Sequence, residues 1–155
     1  MMKIRNLSVR CKNLRDPIEN IGKICKSLEK FFDTRTGKIS VKSRPVLVIG
    51  CEDSYHSPVD VDYEILPISR LQNIIPDEEY DIFLKDGTYE KFGLKNPCYI
   101  RTHKVSWNHA KHMKIEDPIG DMKEVNPKMF NLILQKNLDW VRARNIKNVT
   151  IVPTE

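Results

Sequence analysis

Ser43-Arg44-Pro45-Val46-Leu47-Val48-Ile49-Gly50 is the stretch whose reading decides the fold. Val46 to Ile49 read as a strand buried on both faces, because β-branched side chains suit a pleated surface. Pro45 fits the first position of such a strand, where no ladder hydrogen bond is lost. Arg44 is thereby set at the mouth of a rigid core strand, a place where the position of a cation can matter. The alternative for Arg44 is a solvated residue beside a strand.

Upstream of this strand the period is two. Ile39 and Val41 alternate with polar residues from Lys38 onward, which predicts a strand leading into the Arg44 motif. Farther back, Asp16-Pro17-Ile18-Glu19 has the pattern of a helix start, with a cap, a proline at the first position and a capping-box glutamate. Ile18, Ile21, Cys25, Leu28 and Phe32 follow at spacings of three and four, which predicts an amphipathic helix over 16–34. Downstream, Cys51 to Pro58 reads as a polar loop. Further strands are expected at Tyr63–Ile68, Tyr80–Leu84, Cys98–Val105 and, kinked at Pro118, Ile115–Met122. Asn126-Pro127 starts a terminal helix whose apolar face is Met129, Phe130, Ile133, Leu134, Leu138 and Val141, and Val149–Val152 suggests an edge strand. Short strands between flanking helices leave little room for crossovers. They imply a mainly β fold with some α, an antiparallel sheet curled into a small barrel.

The 155 residues fit one domain with a possible appendage, and a 40% apolar, 30% charged composition fits a soluble globular protein. No apolar run approaches a membrane span, and no signal-peptide core is seen, so a cytoplasmic location is expected. Cys11, Cys25, Cys51 and Cys98 form no CxxC pair and read as reduced, mostly buried thiols. The net charge of +5 lies entirely in residues 1–15, which contain Lys3, Arg5, Arg10, Lys12 and Arg15 and no acidic residue. Such an arm can contact a polyanion or remain a solvated terminus.

In order along the chain, the Arg-Pro strand Arg44–Ile49, the strand end Leu66-Pro67-Ile68-Ser69, the segment Cys98–Val105 and Ile119-Gly120-Asp121-Met122 resemble the MazF/PemK family, the toxins of bacterial type II toxin–antitoxin pairs. The resemblance covers roughly residues 40–140. It implies an SH3-like barrel, expected over 37–155; the basic leader and helix over 1–36 precede it where the family starts directly with its first strand. It also implies a homodimer that cleaves single-stranded RNA, including mRNA, without metal or other cofactor, and that is silenced by a cognate antitoxin protein. The active-site pair it implies is Arg44 and Ser69. Where the family has a Gly-rich loop before the arginine, this chain has Gly37–Ser43, so the entry to the RNA groove is expected to differ. The alternative is a barrel that binds nucleic acid or protein without cutting it.

The chemistry of the residues fits these roles. Arginine stays protonated and its planar fork matches two phosphate oxygens, which suits Arg44 to stabilising a phosphorane. Ser69 can hydrogen-bond a phosphate oxygen or the 2′-hydroxyl, or else only satisfy a strand end. His103 is the natural proton carrier. Strand alternation puts it on the same face as Arg101, and His56 is its rival. Arg70, Lys104 and Trp107 are candidates for RNA contact, the tryptophan as a stacking platform or alternatively as a plug at the barrel end. His103, His109, His112 and Cys98 have no recognised ligand spacing, so no metal site is expected.

Overall fold

A computed structural model describes residues 14–72 and 75–148, with side chains to 144. Seven antiparallel strands form one curled sheet, a half-barrel, in the order β4-β5-β3-β2-β1-β7, with β6 paired to β3. They are β1 (Lys23–Asp33), β2 (Lys38–Cys51), β3 (Asp62–Arg70), β4 (Asp81–Leu84), β5 (Cys98–Arg101), β6 (Ser106–His109) and β7 (Gly120–Asp121). A short helix α1 (Met122–Val125) and a long one, α2 (Pro127–Asn148), follow. No helix among the described residues is long and apolar enough to cross a membrane.

The strand expected from the Arg44 motif is longer than the motif. β2 joins Ile39, Val41 and the apolar run into one element, with Val46, Leu47 and Val48 fully buried. It is covered on both sides. Leu47 packs with Ile24, Leu66, Ile68, Ile100, Phe130 and Ile133 beneath α2. Val46 and Val48 pack on the opposite face with Cys25, Tyr63, Ile65, Ala110 and Met113. Burial on two faces explains why the motif reads as a continuous apolar run rather than an alternation.

The predicted helix over 16–34 is replaced by strand. Asp16 does cap, and the capping box with Glu19 is formed, but the helix it starts is a single 3-10 turn over Pro17–Asn20. Gly22 then takes φ +95°, a left-handed conformation. A Cβ there would collide with the Lys123 side chain. From Lys23 the chain pairs with β2, from Ile24 opposite Leu47 to Asp33 opposite Lys38. The three-and-four spacing of Leu28 and Phe32 therefore marks no buried stripe, and both are exposed. Pairing with a neighbouring strand overrides a local pattern of this kind. Residues 23–33 thus belong to the same sheet as the rest. The turn Thr34–Gly37, with Gly37 at φ +66°, is a hairpin turn rather than a helix end.

Two further boundaries change. The strand expected over 98–105 ends at Arg101 in a turn, and β6 begins at Ser106. The segment 115–122 is strand only at Gly120–Asp121. Pro118 lacks an amide hydrogen, and the run touches β1 through single bonds such as Ile119 N–H to the Ile24 carbonyl, 2.7 Å. The terminal helix starts as expected: the Asn126 side chain accepts from Met129 N–H at 3.0 Å. Phe130 and Ile133 are buried, whereas Leu138 is exposed. The leader cations before Leu14, Cys11 and the expected strand 149–152 lie outside the described residues.

Candidate active face

β2 and β3 pair with Val46 opposite Pro67. Continuing that register two residues brings Arg44 level with Ser69 on the same face of the sheet. Ser69 is opposite Tyr99 on β5, and Arg101, two residues along β5, is opposite Asp81 on β4. Arg44, Ser69, Tyr99, Arg101 and Asp81 therefore share one face across four strands. Cross-strand neighbours stand about 5 Å apart and alternate residues about 7 Å apart.

Arg44 is half-buried, and its Nε is shut off from solvent without a hydrogen-bond partner. No described carboxylate pairs with it. Its guanidinium carbon instead lies 5.7 Å from the centre of the Phe31 ring, which Lys42 also approaches at 5.1 Å. On the β1 side it faces Ser27, which accepts from Asn108 Nδ2 at 2.7 Å and donates to Glu29 at 2.7 Å. Glu52 and Asp53 follow the other end of β2. Glu52 there accepts from Asp62 N–H. His56 lies exposed in the loop beyond that end.

His103 is placed differently, in the turn after β5. Its Nδ1 is 3.7 Å from Asp81 Oδ1, and Arg101 Nε is 3.6 Å from the same oxygen. The Asp81 side chain is fully buried, and its other oxygen accepts from Asp77 N–H at 2.8 Å. The three facing atoms, Asp81 Oδ1, Arg101 Nε and His103 Nδ1, are all buried and too far apart to hydrogen-bond. Burial pushes the His103 pKa below its ordinary value; Asp81 partly opposes this and Arg101 reinforces it. Tyr80 and Trp140 flank the imidazole, with ring centres 5.7 and 6.4 Å away. Helix α2 braces the turn: Asn137 Nδ2 donates to the Thr102 carbonyl at 2.8 Å, and Lys136 donates to the Glu79 carbonyl.

The β2–β3 register, extended, thus sets Arg44 level with Ser69, and Arg101, with His103 in the turn beyond it, stands farther along the same face. The RNA-contact candidates separate from them. Trp107, more than half exposed, is opposite Glu64 on β3 and so lies on the reverse face. Burial raises the Glu64 pKa. Arg70 alternates with Ser69 and shares the reverse face, exposed at the end of β3. Lys104 is exposed beside His103. His109 is engaged elsewhere, with Nε2 2.9 Å from Asp60 and Nδ1 accepting from Lys111 N–H. Among the described residues no three His, Cys, Asp or Glu side chains converge as a ligand set. Cys25 and Cys98 are buried thiols, pushed up to about 12 and about 11 by desolvation and so poor nucleophiles.

Asp81 was not singled out in the sequence. Its partner Arg101 lies twenty positions away, and only the β4–β5 register joins them. No family model matches the chain, and no curated protein is similar enough to match it.

Proposed function

We propose that the protein is a metal-independent endoribonuclease acting on single-stranded RNA, with Arg44 and Ser69 at the centre of its active face. The observation that carries this reading is an arginine Nε that is buried without a partner, on a strand whose register with β3, extended two residues past Val46–Pro67, sets Arg44 level with Ser69. A guanidinium without an ion pair, on a row with a hydroxyl, is suited to receive a phosphodiester, whose oxygens supply the partner that Nε lacks. The 2′-oxygen attacks phosphorus as its proton passes to His103, and the bond to the 5′-oxygen breaks, leaving a cyclic phosphate. The departing oxygen takes a proton from water. Arg44 and Arg101 oppose the charge that builds on the phosphorane, and Ser69 donates to one of its oxygens.

The likeness to MazF/PemK toxins supports the same reading. In it the curled sheet is an SH3-like barrel, the working unit is a homodimer, and an antitoxin segment covers the RNA face. A binding module without catalysis is the second reading. It is favoured by the exposed apolar side of the β1–β2 hairpin, where Leu28, Phe32, Ile39 and Val41 lie uncovered.

The test is cleavage of a single-stranded RNA in EDTA by wild type and by Arg44→Ala. Cleavage that survives chelation and is lost in the variant is expected. RNA binding without cleavage, equal in both proteins, overturns the nuclease and leaves the module.

A further inference from the structure

We infer that Asp81 is a positioning residue that fixes the tautomer of His103, so that Nδ1 carries the proton and Nε2 presents its lone pair to the RNA. The inference rests on the nuclease reading for its purpose, but its geometry stands apart from that reading.

Asp81 is the carboxylate that faces His103 Nδ1, and a carboxylate can only accept from it. Its side chain is fully buried and pinned through its second oxygen by Asp77 N–H, 2.8 Å away. The remaining oxygen faces His103 Nδ1 and Arg101 Nε at nearly equal distance. An ionised carboxylate accepts hydrogen bonds and donates none. A lone pair on Nδ1 directed at that oxygen is repelled, whereas an N–H is attracted. The other groups around the imidazole leave this choice unchanged. The Asp77 carboxylate, which also raises the His103 pKa, is occupied in accepting from Glu79 and Tyr80 N–H, Arg101 and Lys104 are cations without acceptor atoms, and Tyr80 and Trp140 meet the ring as aromatics. With Nδ1 protonated, Nε2 is the acceptor of a neutral imidazole.

The gap of 3.7 Å is longer than a hydrogen bond, as is common before substrate is bound. When Nε2 takes the 2′-hydroxyl proton, the ring becomes a cation beside a carboxylate, and the contact can close. Asp81 holds the Arg101 guanidinium from the same oxygen. One buried carboxylate thereby sets both the proton acceptor and a cation of the active face.

The experiment is NMR detection of the imidazole nitrogens of His103 in the full chain, assigned by comparison with His103→Gln, at a pH where the ring is neutral. Wild type is expected to show Nδ1 protonated; an Nε2–H tautomer overturns the inference. In Asp81→Asn, which keeps the shape and can still accept from Asp77 N–H, the expected result is a shift toward Nε2–H and a lower titration midpoint. Removing the carboxylate removes the charge that raises the His103 pKa. An unchanged tautomer in a folded Asp81→Asn protein also overturns it. If that variant does not fold, the wild-type tautomer decides alone. RNA cleavage is then compared, and a loss on the order of 10²–10⁴-fold in Asp81→Asn is expected for a misdirected base. A wild type that shows the Nδ1–H tautomer but cuts no RNA removes the nuclease reading and leaves the positioning of His103 by Asp81 supported.

Discussion

Arg44 and Arg101 stand on one face of the sheet, but their guanidinium groups have different neighbours. Arg101 has a buried carboxylate 3.6 Å away and a tyrosine ring 5.8 Å away. Arg44 has an aromatic ring and, among the described residues, no ion pair; Glu29, on the same face, accepts from Ser27. The carboxylate at Arg101 is needed by the fold, because Asp81 is fully buried and requires cations near it. Arg44 meets no such requirement, so its charge is available to something outside the chain. The contrast separates a cation that stabilises from one that is free to act.

The largest expected effect tests Arg44. Replacing it by alanine should lower cleavage by about 10²–10³ while the melting temperature stays near that of wild type. An equal rate in the variant, measured on the same RNA, breaks the contrast. Arg101→Ala should act first on stability. It leaves Asp81 facing only His103, and the loss is roughly 1–3 kcal/mol, read by denaturant unfolding. If Arg44→Ala destabilises more than Arg101→Ala, the two roles are reversed.

Acid should reveal the same cluster. The folded state holds the His103 pKa below its ordinary value of 6.5 through burial. The neutral ring is thus favoured on folding. Its stabilising share is complete above pH 6.5 and is lost as the pH falls through the lower folded value. Wild type should therefore lose melting temperature in that window, and His103→Gln should lose less. Identical pH profiles would remove His103 from the account. The smallest effect is expected at Phe31→Leu. It removes a cation–π contact worth about 0.5–1 kcal/mol and should slow cleavage several-fold through Arg44 without changing metal independence. An unaltered rate would mean that the ring does not hold the guanidinium.

What could be read from the chain followed the range of each signal. Val46–Ile49 fixed a core strand because its burial is written in consecutive residues. The cap and proline at Asn126-Pro127 marked a helix start for the same local reason, whereas Arg44, read at the mouth of a strand, lies midway along β2 because the pairing of Lys38–Ser43 with β1 extends it. The segment after Pro17 misled because Ile18, Ile21, Cys25, Leu28 and Phe32 satisfy a helical period by coincidence, while the pairing that makes it a strand comes from Leu47 and its neighbours. Trp107 was assigned by its basic surroundings in sequence. A pleat puts it behind the sheet instead, and that pleat was invisible until β6 was placed on β3. Asp81 carried no signal, since a lone aspartate before an apolar triplet has many uses.

The length of β2 has one more consequence. Its inner half is clamped between two apolar layers, whereas Lys38–Ser43 is paired to β1 and largely exposed. Opening of the native state is least expensive where few apolar contacts must be broken. The hairpin therefore unzips from Gly37 inward, and the fraying halts where the buried residues begin. Arg44 stands two residues before that stop, with half-buried Pro45 between. Fraying from the tip reaches Phe31, opposite Ser40, before it reaches Arg44, so the aromatic side of the guanidinium rests on the less stable half of the strand.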